Sequence, residues 1–271
     1  MTILADTHAH FYDGYDFECA LRSALANLGV VAKAEEKPGP DYVLCLAERR
    51  DCHFFRRLAA GELALGAGIT VAVSAEVARV TLNENDASAL WIFPGRQVVT
   101  RERLEILAVT VADDIPENQP VAATVESVRA VGGIAVLPWG VGKWLFGRGR
   151  VIAELLERLQ PIDLLIGDSS MRPVGWPEPL LMRYARSLGF RVVAGSDPLP
   201  FRGEERLIGR YGVAGPGVLD PRAPLASFRR WLAAGDGGEF RIFGKRCSIV
   251  DVFIRLLKAW RAQRSAMTMF C

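Results

Sequence analysis

Apolar and polar positions alternate in blocks along the chain, short apolar runs giving way to stretches of helical spacing. Ile3-Leu4-Ala5 predicts a short first strand and residues 17–28 a helix. Residues 42–46, bounded upstream by Pro38-Gly39-Pro40, predict a second buried strand, followed by a helix over 52–63. Residues 69–75 are rich in Val and Ile and too short for a helix. At 89–111 the pattern changes: Leu90-Trp91-Ile92-Phe93, then Pro94-Gly95, then 97–99 and 104–111 predict a β-hairpin with a further strand. A helix over 120–131 ends at Gly132-Gly133. Beyond it the alternation is regular: strands at 134–137, 162–166 and 191–194, helices at 150–159, 178–188 and 203–211. About seven strand–helix units closing on themselves make a barrel, with an open doubly wound sheet as the alternative. In the less regular tail, Ile249, Val252, Phe253, Leu256, Leu257 and Trp260 share one helix face, expected to pack on the barrel.

Composition narrows the function. Half of the 271 residues are apolar and the net charge is +2, which argues against a dedicated nucleic-acid binder. The longest charge-free stretches, 63–75 and 130–142, are thirteen residues each, short of the ~18 that span a bilayer. Neither a basic start nor a cleavage site marks the N-terminus, so a cytoplasmic location is expected. Five cysteines (Cys19, Cys45, Cys52, Cys247, Cys271) contain no CxxC pair and are expected to be reduced. Arginine outnumbers lysine 28 to 5; arginine is the better fork for phosphate or carboxylate, but a GC-rich coding bias is the preferred account of the excess.

The first polar constellation, Asp6-Thr7-His8-Ala9-His10, directly follows the first strand. In an extended segment His8 and His10 project to one side, where two imidazoles can share a transition-metal ion. They are two of the three histidines in the chain; His53, in the Arg-rich start of a helix, reads as a structural residue. Charged groups follow the other strands: Glu48, Glu76, Lys143, Asp168 and Asp197. Loops after parallel strands converge, so these side chains are expected at one mouth. Residues 139–150 place Lys143, Arg148 and Arg150 before a helix N-terminus, a setting suited to anions. A P-loop is excluded, because Leu137 and Trp144 stand where it needs glycine and Ser or Thr. Neither a Gly-x-Ser-x-Gly elbow nor a dinucleotide fingerprint is present.

Residues 5–10 resemble the opening motif of the amidohydrolase-like barrels, most nearly the PHP (polymerase and histidinol phosphatase) family and next the TatD-like nucleases. Ser74-Ala75-Glu76 resembles the PHP acidic ligand, 133–137 the strand before its Ala-His-Pro motif, and 193–197 the strand carrying its late Ser-Asp motif. The resemblance implies one domain over 1–271: a distorted (βα)7 TIM-like barrel of the PHP type, with a β-hairpin insertion near 89–111 and a C-terminal helix. It also implies a metal-dependent hydrolase, most nearly a phosphoesterase using a metal-activated water. Three family histidines are missing, at Ala47-Glu48, Leu137-Pro138-Trp139 and Asp197-Pro198-Leu199. That leaves His8, His10, Glu76 and Asp197 for one ion of zinc, manganese or iron. Asp168 or Glu48 would act as general base, and Lys143, Arg148 or Arg172 would bind a small phosphate-bearing substrate, with no membrane partner. Two rivals follow: a metal-free binding or regulatory protein, suggested by the missing histidines, and a C–N hydrolase of the amidohydrolase kind.

Overall fold

The computed structural model describes residues 1–34, 39–74, 76–82, 89–234 and 240–268, with only the backbone described at 234 and 262–268. Pro38, Ala75 and Cys271, named above, lie outside the described residues. The chain runs through β1 (Thr2–Ala9), α1 (Phe17–Ala34), β2 (Asp41–Leu46), α2 (Phe54–Ala59), β3 (Ile69–Val73), β4 (Ala78–Leu82) and β5 (Ala89–Phe93). It continues through β6 (Gly95–Val99), β7 (Glu105–Val109), α3 (Val121–Ala130), β8 (Ile134–Pro138), α4 (Gly147–Arg158) and β9 (Leu165–Ser169). Next come α5 (Leu180–Ser187), β10 (Val192–Gly195), a 3₁₀ turn (Glu204–Leu207), β11 (Tyr211–Pro216), α6 (Pro224–Ala234), β12 (Arg241–Gly244) and α7 (Ile249–Thr268).

These strands form two sheets, which corrects both the (βα)7 barrel and the doubly wound alternative. Seven strands run in the order β12-β11-β1-β2-β5-β4-β3 and five in the order β10-β9-β8-β7-β6. A barrel of strand–helix repeats needs parallel neighbours throughout. Here β1 is antiparallel to β11, β4 to both β3 and β5, and β7 to both β6 and β8. Antiparallel neighbours need no crossover helix between them, so they break the strand–helix repeat.

The expected insertion at 89–111 is not one. β5 pairs with β2 inside the larger sheet, β6 pairs with β7 in the smaller, and Pro94-Gly95 is where the chain passes between them. Gly95 is required there, because a Cβ would run into the backbone oxygens of Leu46 and Ala108. The helix expected at 203–211 is a single 3₁₀ turn, and Tyr211 begins a strand.

Alternate residues of the central strands face different cores, as a two-residue period requires. Leu4, Leu44 and Ile92 pack under α1 and α2 with Leu21, Leu28 and Phe54. Ile3, Val43 and Phe93 instead meet Leu107, Val136 and Val193 of the smaller sheet, with Phe228 of α6. Burial on both faces explains why these strands read as continuous apolar runs. The helices α3, α4 and α5 cover the smaller sheet through Val125, Ile152 and Met182. On α7 the expected apolar face is packed only in part: Val252 is buried, but Ile249, Phe253, Leu256 and Trp260 are exposed, and the buried Arg255 lies outside that set.

The two sheets touch where β1 lies beside β10 and where β2 meets β6. The Asp197 N–H donates to His8 O at 2.9 Å, and the Glu48 N–H donates to Gly95 O at 2.9 Å.

Candidate metal centre

The β1 strand stays buried over its whole length although it carries Asp6, Thr7 and His8. Its register against β2 shifts between Asp6 and Ala9, an irregularity of the kind that re-aims side chains beside functional sites. Asp6 anchors the bend. Its carboxylate accepts from the N–H groups of His8 (3.2 Å), Ser196 (2.9 Å) and Gly209 (2.9 Å) and from the Ser196 hydroxyl (2.5 Å). Burial nevertheless dominates and pushes its pKa up, these donors offsetting it only in part. Gly195 lets β10 approach closely, since a Cβ there would sit 2.4 Å from His8 N.

That approach brings three donor atoms together. His8 Nε2 and His10 Nε2 are 3.0 Å apart, and Asp197 Oδ1 is 3.6 Å from the first and 3.7 Å from the second. Nitrogen and oxygen ligands at ~2.0–2.1 Å from a tetrahedral ion stand ~3.3 Å from one another, so this triangle fits one divalent ion. Among the described residues it is the one such group of three His, Cys, Asp or Glu donors. Burial, then the neighbouring His8, lowers the His10 pKa to about 3, so its lone pair is free at neutral pH. Burial raises the Asp197 carboxyl, but His8, His10, Lys143 and Ser169 outweigh it and hold the group below the usual carboxylate range. The Ser169 hydroxyl donates to Asp197 Oδ2 at 2.9 Å, and the Ala47 backbone hydrogen-bonds the His10 ring. Supports of this kind fix the orientation of metal ligands. Asp197 also has φ +48 directly before Pro198, a left-handed conformation tolerated by Asp but costly in that position.

The centre opens into a cavity of about 770 Å³ lined by His10, Tyr12, Arg49, Glu105, Lys143 and Asp197, among others. The Tyr12 ring stacks on His10 with centroids 5.3 Å apart. Lys143 reaches this cavity, but its Nζ lies 2.5 Å from Glu105 Oε1. Neither Tyr12 nor Glu105 was singled out by the sequence. Tyr12 continues the two-residue step of His8 and His10, which was a usable signal; Glu105 left none.

The other expected site residues stand apart. Glu76 is exposed in the turn between β3 and β4, within electrostatic reach of Arg229 rather than of the histidines. Glu48 is buried, accepting from Phe55 N–H at 2.9 Å and facing Arg96 at 3.6 Å. Asp168 is buried in a two-pronged pair with Arg172, at 2.8 and 2.6 Å, and also accepts from Tyr211 OH at 2.8 Å. Arg148 donates to Gly142 O at 3.0 Å and does not line the cavity. His53 precedes α2 without capping it.

No protein-family model matches the chain, and no curated protein aligns with it. Among solved structures it is similar to PsfC from Pseudomonas syringae PB-5123, with a TM-score of 0.55 at 15% identity over 98% of this chain and 99% of that one. It is also similar to the lesion-specific endonuclease PfuEndoQ from Pyrococcus furiosus, with a TM-score of 0.50 at 10% identity over 90% of this chain and 59% of that one. At such identities the likeness is one of fold. No helix among the described residues is long and apolar enough to cross a membrane.

Proposed function

We propose that the chain is a metal-dependent hydrolase acting on a small phosphoester, with a single divalent ion held by His8, His10 and Asp197. The observation that carries this reading is the convergence of those three donor atoms, 3.0 to 3.7 Å apart, beside an open cavity that His10 and Asp197 line. A zinc, manganese or iron ion there would supply Lewis acidity, polarising a phosphoryl oxygen and making water acidic enough to react at neutral pH. The chain's own residues do the rest. His10 stays neutral and offers its lone pair, while Ser169 keeps Asp197 turned towards the histidines. Lys143, exchanging its pairing with Glu105 for the substrate, would hold phosphoryl charge; Arg49 stands on the same wall. The likeness of fold to an endonuclease supports hydrolysis of phosphoesters without naming the substrate.

One observation favours a second reading, a metal-free binding protein. Glu48 and Asp168, the carboxylates expected to act as general base, are both engaged by arginine.

Differential scanning fluorimetry of chelator-stripped, tag-free protein separates the two. Zinc or manganese at 100 times its Kd should add ~2.7 kcal/mol of stability, and His8→Ala/His10→Ala should abolish the gain. Hydrolysis of bis(p-nitrophenyl) phosphate should follow the same metal dependence. Equal metal protection of wild type and double variant would leave the binding-protein reading.

A further inference from the structure

A second cavity, of about 410 Å³, lies across the 197–204 segment from the metal centre, between the 3₁₀ turn, the loop after β12 and α7. Its charge is lopsided. Arg202, Arg210, Lys245, Arg246, Arg255 and Lys258 line it against only two carboxylates, Glu204 and Asp251. Both carboxylates are already occupied. Glu204 is bound by the buried Arg255 and by Leu199 N–H, and Asp251 caps α7 by accepting from the Ser248 hydroxyl at 2.7 Å. Arg255 is equally committed, donating also to Cys247 Sγ and to Asp197 O at 3.2 Å. It thereby forms part of the wall between the two cavities.

Five cations remain. None of Arg202, Arg210, Lys245, Arg246 and Lys258 makes a close ion pair among the described residues, although Arg210 lies within electrostatic reach of Asp251, Arg246 donates to Trp176 O at 3.3 Å and Lys258 lies over the Phe201 ring. Like charges lining one cavity repel one another and are relieved by a counter-ion. The metal-centre cavity offers no such excess, since Asp51, Glu105, Glu117 and Asp197 balance its Arg and Lys residues.

We infer that this cavity is a polyanion site, taking a compact ligand with two adjacent phosphoryl groups. Two phosphoryl groups carry roughly −3 to −4 at neutral pH, which matches an excess of four positive charges. The cavity is also within the size range of small-ligand pockets, and arginine forks suit phosphate oxygens. The site is separate from the metal centre and does not rest on the hydrolase reading.

Inorganic pyrophosphate is the probe, titrated calorimetrically into chelator-stripped protein at low salt. One site should be seen, its affinity falling as sodium chloride is raised. Lys245→Glu/Arg246→Glu should weaken binding at least tenfold, and Arg202→Glu similarly; Lys245 and Arg202 are exposed, and Arg246 only half-buried, so the fold should survive. Lys143→Glu and His8→Ala should change the affinity less than twofold. No binding by wild type, or binding lost with Lys143→Glu but kept with Lys245→Glu/Arg246→Glu, overturns the assignment. Because no metal is present, neither result bears on metal-dependent hydrolysis.

Discussion

Asp168 and Asp197 end neighbouring stretches of chain, at β9 and just past β10, and both follow apolar strands. Their surroundings differ in one respect. Asp168 has its counter-charge built in, with both oxygens taken by Arg172 and a third donor in Tyr211. Asp197 faces two histidine nitrogens, one of them on a ring kept neutral, and retains a fifth of its side chain in contact with solvent. A carboxylate whose charge is already answered by the protein braces the fold. One that faces imidazole nitrogens and no built-in arginine is arranged for a charge that comes from outside.

The largest expected effect comes from breaking the satisfied member. Arg172→Ala leaves Asp168 buried and unpaired, and such losses cost ~3–5 kcal/mol. Asp197→Asn keeps a side chain that tolerates the left-handed backbone and should cost metal-free protein less than ~1 kcal/mol. Urea denaturation of both variants after chelation measures the contrast; equal costs would erase it.

Acid should act on the unsatisfied member next. In the unfolded chain a histidine titrates near 6.5, but in the fold His10 titrates near 3. Between those values the unfolded state binds the extra proton, so stability is lost as pH falls, by up to ~1.4 kcal/mol per unit. Asp197 adds to this only lower down, since its depressed pKa gives stability present above pH 3.8 and lost as pH falls through the folded value. Chelated His10→Gln should show a flatter profile from pH 6.5 to 5. An unchanged slope would mean that His10 is solvated rather than held neutral.

How much of this was legible follows the same division. His8 and His10 could be read because i and i+2 on a strand share a face, and Asp197 because it follows a strand and matches a family motif. The partners that decide what each carboxylate does came from tertiary contacts: Arg96 reaches Glu48 from another sheet, and Arg172 folds back on Asp168 through a turn that no periodicity marks. The strands were mostly visible, but their pairing was not. Pro94-Gly95 looks the same whether it turns a hairpin or carries the chain between sheets, and β4, with Arg79 and Thr81 outward, is too polar to stand out. Tyr211–Pro216 was hidden behind Gly203–Tyr211, whose apolar spacing mimics a helix but yields one 3₁₀ turn.

Smaller effects sharpen the comparison within the centre. Ser169→Ala removes the hydroxyl that holds Asp197 Oδ2 without touching a donor atom of the triangle. Loss of such a support typically weakens metal binding 10–100-fold, so a tenfold rise in the zinc Kd is expected, with the chelated melting temperature little moved. An unchanged Kd would show that Asp197 is held by its own backbone, through the Asp197 N–H to His8 O bond, and not by the serine.

The smallest effect is expected at Glu76, which the family resemblance made a ligand and the fold leaves in an exposed turn. Glu76→Gln should change stability by no more than ~0.5 kcal/mol, as for most exposed substitutions, and should leave the zinc Kd within twofold. The reason is positional: the β3–β4 turn hangs from the far edge of the larger sheet, with β4, β5 and β2 between it and β1, and lies within electrostatic reach of the Arg229 guanidinium. Zinc titration of chelated Glu76→Gln beside Ser169→Ala is the direct comparison. A larger loss at Glu76 than at Ser169 would mean that the β3–β4 turn closes over the centre when metal binds, and that the ion has a fourth protein ligand.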